Sequence, residues 1–263
     1  MEKIFKTKSG INVFREVTRL DDESQITSII EGLDDNLGVY LSSGVEFPDR
    51  YSQWDFGIID PPLIFTGTNG KLTIESLNER GENLLYLLRP VFFNNKDIKL
   101  TSIDQSKIII EIQYTQKVFT EEDRSLQPSI FTPLRSMMND FLGIGDQHLG
   151  LYGAFGFDLI YQFEKPNKKI DRLEKTNILK LFFPDEIFIY DRKKELMLKY
   201  KYYFSDKNNS KTQNNISTLN KERKKIINKT NIKQIVDGEI SVDVSDEKFS
   251  HMVNTARDAM RRG

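Results

Sequence analysis

Short segments with the composition of β-strands, separated by turn signals, dominate residues 1–204 of the chain. Apolar and polar residues roughly alternate at 11–18. Further strand-like runs follow at 38–41, 107–115, 149–155, 186–191 and 196–204. Residues 53–78 are predicted to form successive strands, punctuated by Pro61-Pro62 and by Asn69-Gly70. The Asn-Gly pair predicts a hairpin with a type I′ turn.

Helical periodicity appears at few places in this part of the chain. Asp21 and Asp22 precede a segment whose isoleucine and leucine residues share one predicted helix face, namely Ile26, Ile29, Ile30 and Leu33. Residues 79–88 predict a helix that Pro90 ends, and residues 128–141 predict another with proline near its first turn. Strands and helices do not alternate regularly. The sequence therefore predicts an α+β fold, with mixed or antiparallel sheets and flanking helices, rather than a doubly wound parallel sheet.

The composition changes after residue 204. Residues 205–234 are crowded with Asn and Lys and contain no aromatic side chain, so they cannot bury enough apolar surface to offset ordering entropy. Ser245 then caps a helix with an apolar stripe formed by Phe249, Met252, Val253, Ala256 and Met260. We predict a domain at 1–204, a linker at 205–244 and, at 245–263, the first helix of a domain that the chain does not complete.

Charge and cysteine content exclude several classes of protein. Lys and Arg number 38 against 39 Asp and Glu, so nothing in the net charge favours a nucleic acid or a membrane surface as partner. The chain has no cysteine, which excludes disulfides and thiolate metal sites. A membrane-spanning helix needs about 20 consecutive apolar residues, and no apolar run in the sequence is close to that length. The first residues of the chain are too polar for a signal peptide. We expect a cytoplasmic protein.

Candidate catalytic groups are few. The chain has two histidines: His148, close to Asp146, is a candidate base or ligand but is better explained as a loop residue, and His251 lies on the polar side of the last helix. No set of side chains has the spacing of a metal site. Ser43-Gly44 lacks the G-x-S-x-G pattern of a nucleophile elbow. We therefore predict no metal site.

Two further patterns have ordinary structural explanations. Gly150, Gly153 and Gly156 resemble a phosphate-binding loop only weakly, and close packing of a strand against its neighbour explains them better. The lysine-rich run at 221–233 has no interleaved aromatic residues for stacking bases, which favours a solvated insertion.

The segment Leu41-Ser42-Ser43-Gly44 is a candidate binding site for a small amino acid. A short buried strand that ends in hydroxyl groups and a glycine presents backbone N–H groups and side-chain donors at one point. The same residues are also ordinary turn formers.

Three longer runs carry a resemblance to a known family: LSSGVEFPDRYSQWDFGIIDPPL at 41–63, LNERG at 77–81 and HLGLYGAFGFDLIYQFE at 148–164. Together with Phe183-Pro184-Asp185-Glu186, they resemble the N-terminal region of anthranilate synthase component I, most of all the bacterial form fused to its glutamine amidotransferase.

The resemblance implies a part in tryptophan biosynthesis. The family is a lyase that makes anthranilate from chorismate, with ammonia from glutamine and with Mg²⁺ at the chorismate site. It also implies feedback inhibition, since the N-terminal domain holds part of an allosteric tryptophan pocket. In the family a Leu-Leu-Glu-Ser element contributes to that pocket and corresponds here to Tyr40-Leu41-Ser42-Ser43, so Leu41, Ser42 and Ser43 are the candidate tryptophan-binding residues.

The resemblance also places the catalytic residues and the Mg²⁺ ligands in a chorismate-binding domain beyond residue 263. We therefore assign this chain no catalytic residue and no cofactor, and expect it to need that domain and an amidotransferase as partners. Two alternatives remain open: a stand-alone amino-acid-binding or interaction module, and a remnant of a related chorismate-using enzyme.

Overall fold

Short strands and a few helices make up the regular structure of the computed structural model. The structure describes residues 3–21, 24–42, 54–93, 95–115, 119–120, 122–123, 126–163, 176–206 and 242–262. Within these ranges the strands are β1 (Lys3–Lys6), β2 (Asn12–Leu20), β3 (Gly38–Leu41), β4 (Trp54–Ile59), β5 (Leu63–Thr68), β6 (Lys71–Ser76), β7 (Ile98–Ile103), β8 (Lys107–Ile112), β9 (Tyr152–Phe155), β10 (Leu179–Phe183), β11 (Glu186–Asp191) and β12 (Leu196–Ser205). The helices are α1 (Ser24–Asp35), α2 (Glu79–Leu88), α3 (Phe131–Phe141) and α4 (Asp246–Arg262), and 3₁₀ turns lie at Arg89–Phe92, Leu142–Ile144 and Phe157–Gln162.

The described strands form two sheets of six. The first has the order β1-β2-β12-β11-β4-β3, and the second has the order β7-β8-β6-β5-β10-β9. Every pairing among these strands is antiparallel. The predicted α+β class is thus confirmed, and the sheets are antiparallel rather than mixed.

One cluster of buried side chains joins both sheets. Alternate residues of each strand point to the same face, so Ile58 and Ile187 of the first sheet enter this core together with Phe65 and Ile74 of the second. Leu85 of α2 belongs to the same cluster. The two sheets and α2 therefore bury their apolar faces in a common core.

Local signals predicted most of these elements. The predicted bounds of α2 and β11 coincide with the observed ones, and α3 begins at Phe131 rather than at residue 128. The β5–β6 hairpin has the expected two-residue loop, since Thr68 pairs with Lys71. Its predicted turn type is wrong. A type I′ turn needs positive φ at both central residues, whereas Gly70 has φ of +74° and Asn69 is not among the described residues with positive φ.

Three of the twelve described strands have no counterpart in the sequence-based prediction, namely β1, β7 and β10. The last is an inner strand of the second sheet, between β5 and the edge strand β9. Its residues, LKLFF, are almost all buried. A short continuous apolar run does not show the alternation that identifies a half-exposed strand.

A buried arginine ties together the two places where the chain passes between the sheets. Arg80 of α2 is 5% exposed. Its Nε donates to Asp185 Oδ2 at 2.6 Å, and its Nη2 donates to the carbonyl and to Oδ2 of Asp60 at 2.7 and 3.0 Å. Asp60 follows β4, and Asp185 precedes β11. Arg80 therefore holds both connections against α2.

The surroundings of Arg80 explain two further residues of the LNERG run, Asn78 and Gly81. The Asn78 side chain accepts the Gly81 N–H at 3.0 Å, which caps α2, and it donates to Asp60 Oδ1 at 3.2 Å. A Cβ on Gly81 would lie 2.1 Å from the carbonyl oxygen of Pro62. A glycine at this position lets α2 approach the connection that follows β4.

The glycines at 150–156 differ in their surroundings. A Cβ on Gly153 would lie 2.2 Å from the carbonyl oxygen of Lys180 in the neighbouring strand β10. A Cβ on Gly156 would lie 3.3 Å from the Asn177 carbonyl oxygen, and a Cβ on Gly150 would have no neighbour within 4 Å. The explanation by close packing thus holds for Gly153 and Gly156 and not for Gly150.

The C-terminal helix belongs to a separate unit. Residues 1–228 form one compact unit and residues 229–263 another. The Lys248 N–H donates to the hydroxyl of Ser245 at 3.4 Å, in agreement with the predicted cap. Phe249, Met252 and Val253 are exposed. Most of the predicted linker at 205–244 lies outside the described residues, so the predicted domain bounds stay a prediction.

None of the helices in the described ranges combines the length and apolarity needed to cross a membrane.

Replacing Arg80 with methionine should lower the free energy of unfolding by about 3 to 5 kcal/mol, because the buried carboxylates of Asp60 and Asp185 lose their counter-charge. Urea denaturation of the purified protein measures the change. The control is Arg19→Met, since Arg19 forms an exposed ion pair with Asp21 and should change stability by less than about 0.5 kcal/mol. Equal effects of the two substitutions would contradict the role given to Arg80.

Substituting Gly153 with alanine should cost more than about 2 kcal/mol, since the new methyl group would collide with backbone atoms of β10. Gly150→Ala is the matched control and should be neutral or slightly stabilising, because alanine restricts the unfolded chain. Thermal denaturation of both variants tests this. A stable Gly153→Ala protein would show that β9 is not packed against β10 in this way.

Candidate functional site

The predicted binding segment begins on the outer strand of the first sheet. β3 pairs with β4 and lies at the edge of the sheet, and its last pair joins Leu41 to Phe56. Directly paired residues share a face, so Leu41 points to the same face as Phe56. The Ser42 hydroxyl accepts a hydrogen bond on the opposite face, from Arg192. Ser43 lies outside the described residues.

A buried carboxylate organises the face on which Ser42 lies. The Asp55 side chain is 3% exposed. Arg192 Nη2 lies 2.9 Å from Asp55 Oδ2, and Arg192 Nε lies 3.2 Å from both carboxylate oxygens. The same Nη2 donates to Ser42 Oγ at 2.9 Å, and the Tyr40 hydroxyl donates to Asp55 Oδ2 at 3.0 Å. We name Tyr40, Ser42, Asp55 and Arg192 the Asp55 network.

The surroundings of Tyr40 in this network favour the protonated form of its hydroxyl group. Burial raises the pKa of the Tyr40 hydroxyl, and the hydrogen bond to Asp55 and its negative charge raise that pKa further. Tyr40 therefore stays protonated and donates its hydrogen bond at every physiological pH. Hydrogen bonds that involve an ionised group are among the stronger ones in proteins.

The turn between β11 and β12 presents Arg192 to the network. Asp191 accepts hydrogen bonds from Trp54 Nε1 and from the Lys194 N–H, both at 3.2 Å. The turn closes at Glu195, whose φ is +48°, and the strands pair from Asp191 and Leu196 onwards. The turn that carries Arg192 is therefore itself held by hydrogen bonds to Asp191 and by the pairing of β11 with β12.

Aromatic rings cover the opposite face of the same strand end. The His148 ring lies 4.8 Å from Tyr200, 6.1 Å from Phe56 and 6.3 Å from Trp54 between ring centroids. Phe56 also contacts Tyr152 at 5.7 Å. Leu41 and Trp54 are partly exposed at the margin of this aromatic cluster. The end of β3 therefore has one polar face and one aromatic face.

A second buried carboxylate, Asp146, supports the aromatic cluster. It accepts from Arg15 Nη1 at 2.6 Å, from the Tyr202 hydroxyl at 3.0 Å, and from the N–H groups of His148 and Leu149 at 2.8 and 3.0 Å. Burial by itself raises the pKa of Asp146, but these hydrogen bonds outweigh it and the net pKa is lowered. Asp146 therefore holds the loop that carries His148.

The His148 ring packs against other aromatic rings, which favours a structural role over a catalytic one. It lies in the loop before β9, as the sequence indicates. Burial lowers the pKa of His148, and the nearby positive charge of Arg15 lowers it further, while Asp146 opposes both. Within the described ranges, no group of three or more His, Asp or Glu residues is placed to hold a metal ion.

The structure adds residues that the sequence patterns do not single out. Asp55 belongs to the RYSQWD run, and Arg192 lies between two predicted strands. The sequence offers no sign that the two residues meet. A further apolar depression of about 590 Å³ lies between α3 and β9–β10, and its lining does not include Leu41 or Ser42. Its lining includes Phe131, Met138, Phe141, Phe155 and Leu181.

The free energy of unfolding should fall as the pH drops below the ordinary histidine pKa of about 6.5, in part because of His148. Its lowered pKa in the folded state means that the unfolded chain takes up the proton first, so acid favours unfolding. We expect His148→Gln to reduce the loss of stability between about pH 7.5 and about pH 5.5. Urea denaturation at the two pH values measures it.

The control for His148 is the second histidine of the chain, since His251 is exposed on α4. His251→Gln should keep the pH dependence of the unaltered protein. An equal reduction in both variants would mean that the environment of His148 does not cause the effect.

Comparison with known proteins extends the resemblance seen in the sequence. Residues 91–263 match the family described as chorismate binding enzyme. The chain is 34% identical over 187 residues to anthranilate synthase of Azospirillum brasilense, covering 71% of this chain and 25% of that protein. It is 21% identical over 231 residues to anthranilate synthase component 1 of Buchnera aphidicola subsp. Pemphigus spyrothecae, covering 85% of this chain and 43% of that protein.

These matches confirm the resemblance to anthranilate synthase component I. The chain spans less than half the length of either relative. The family match includes residues of the second sheet, of β11–β12 and of α4, and it covers well over half of the chain. The chain therefore belongs to the family of chorismate-binding enzymes.

Proposed function

We propose that this chain is the N-terminal, tryptophan-sensing part of an anthranilate synthase. The observation that carries the proposal is the 34% identity over 187 residues to a protein named anthranilate synthase. In this proposal the complete enzyme converts chorismate and glutamine to anthranilate, pyruvate and glutamate in the cytoplasm. It does so together with a glutamine amidotransferase domain or subunit.

Catalysis is assigned to residues outside this chain. The relatives are much longer than the matched region, which leaves room in them for further domains. In this proposal the Mg²⁺ that the resemblance implies belongs to the chorismate-binding domain beyond residue 263, and no step is assigned to a metal in this chain. The contribution of residues 1–263 is then binding and regulation.

The geometry at the end of β3 suits an amino-acid effector. Leu41 and the partly exposed Trp54 supply apolar surface beside the aromatic cluster. Ser42 supplies a hydroxyl on the other face, and Ser43 is the next donor along the chain. An amino acid with an aromatic side chain needs both kinds of contact, a polar anchor for its ammonium and carboxylate groups and an apolar wall for its ring.

Regulation in this proposal is a shift between two states of the enzyme. Tryptophan inhibits only if it binds the inhibited state more tightly than the active one, because a ligand moves an equilibrium by its difference in affinity for the two states. A site at the end of an edge strand can differ between states, since the strand is held from one side only.

The test uses the native protein that carries this sequence, purified with any chain that accompanies it. Its intact mass is compared with 30.7 kDa, and its formation of anthranilate from chorismate is followed by fluorescence with and without tryptophan. We expect a larger mass, anthranilate formation and inhibition by tryptophan. Amino-acid binding without anthranilate formation would instead favour a stand-alone binding module.

Replacing Ser43 with phenylalanine in that protein should raise the tryptophan concentration for half-inhibition by about tenfold or more, because the bulky ring would occupy the site. Ser28→Phe is the matched control, since Ser28 is exposed on α1 and should keep the normal response. Unchanged inhibition in Ser43→Phe would remove Ser43 from the site.

A further inference from the structure

The end of β3 has little support from the sheet. β3 is four residues long, lies at the sheet edge and pairs with β4 only as far as Leu41. Ser42 follows the last pair of this ladder. The hydrogen bond from Arg192 Nη2 to Ser42 Oγ, at 2.9 Å, therefore connects Ser42 of the proposed site to the turn between β11 and β12.

Arg192 is itself held firmly. Its guanidinium group meets both oxygens of the Asp55 carboxylate at 2.9 to 3.2 Å. Asp55 is buried, so the free energy of leaving its charge unpaired is large. Arg192 cannot move away from Asp55 without that cost, and Ser42 is linked to a fixed point of the sheet.

The Asp55 network joins two consecutive strands to a turn that is distant in sequence. Tyr40 and Ser42 come from β3 and its end, Asp55 from β4, and Arg192 from the β11–β12 turn, 137 residues beyond Asp55. Asp191, next to Arg192, binds the indole N–H of Trp54, next to Asp55. The Arg192–Asp55 and Asp191–Trp54 interactions together hold the turn against the start of β4.

We infer that Arg192 is a positioning residue for the proposed tryptophan site: through Asp55 and Ser42 it fixes the end of β3 in the arrangement that binds tryptophan. This inference rests on the proposed function. Arg192 acts through Ser42 and does not itself have to contact tryptophan. The affinity for tryptophan therefore depends on a residue in a turn of the sheet as well as on the residues of the binding segment.

The planar guanidinium group is essential to this role. It presents several N–H donors in fixed directions and reaches Asp55 and Ser42 at the same time. A lysine ammonium at this position keeps the positive charge near Asp55 but lacks the fixed, planar arrangement of N–H donors. Arg192→Lys should therefore retain the fold and lose part of the tryptophan response, and Arg192→Leu should lose more of it.

The experiment uses the native protein with its accompanying chains and L-tryptophan as the probe. The variants are Arg192→Leu, Arg192→Lys, Ser42→Ala and the double variant Arg192→Leu with Ser42→Ala. Lys193→Leu is the control, since it removes the same charge from an exposed position of the same turn. Inhibition by tryptophan is measured relative to the rate of each variant without tryptophan, and amide hydrogen exchange of residues 38–42 is measured without ligand.

We expect Arg192→Leu to raise the tryptophan concentration for half-inhibition by about tenfold or more, with faster exchange confined to residues 38–42. Lys193→Leu should behave like the unaltered protein. Because Arg192 acts through Ser42, the effects of Arg192→Leu and Ser42→Ala should not add in the double variant. A merely structural effect of Arg192 would not produce this coupling.

The outcomes separate the inference from the proposed function. If the unaltered protein is not inhibited by tryptophan, the proposed function is overturned, and the inference with it. If tryptophan inhibits and Arg192→Leu responds normally, or if the two substitutions add, the inference alone is overturned. If Arg192→Leu fails to fold, Arg192→Lys with Ser42→Ala provides the same cycle, and additivity there overturns the inference.

Discussion

The ion pairs of Arg80 with Asp60 and Asp185 are the interaction on which the arrangement of the two sheets depends. The chain leaves the first sheet through Asp60 and returns to it through Asp185, and a single buried guanidinium group binds both connections. Burying three charges is unfavourable unless their geometry is good. The short hydrogen bonds from Arg80 to the two carboxylates and to the Asp60 carbonyl oxygen meet that condition. The helix α2 can therefore pack only where both connections reach Arg80.

The strands β4 and β11, which meet the Arg80 junction at one end, reach the candidate site at the other. β4 and β11 are antiparallel neighbours, and their register brings Trp54 opposite Asp191. The junction lies where β4 ends and β11 begins, and the Asp55 network lies at their other ends. An arginine–carboxylate pair therefore lies at each end of this pair of strands. The edge strand β3 pairs with β4 and therefore lies beside a strand that is held at both ends.

The end of β3 combines two environments that a single turn could not provide. One face holds the hydrogen bonds of Ser42, Arg192 and Asp55. The other face holds Leu41 and the aromatic cluster, whose His148 loop is bound by Asp146. Strand geometry, in which successive side chains point to opposite faces, makes this combination possible within two residues. In the proposed function this is the point at which an aromatic amino acid regulates a chorismate-using enzyme. The membership in that family comes from sequence comparison, and the regulatory role stays a proposal.

The sequence by itself determined the α+β class, the bounds of α2 and β11, and the family, because helix periodicity, turn residues and long specific runs are local signals. It did not reveal β10, whose continuous apolar run lacks alternation, nor the turn type at Asn69-Gly70. Only the tertiary structure decided that Arg192 meets Asp55 and Ser42. Strand alternation specifies which side chains share a face but not which strand lies next to which. That choice follows from burying both sheets in one core, which places residues 137 positions apart within hydrogen-bond distance.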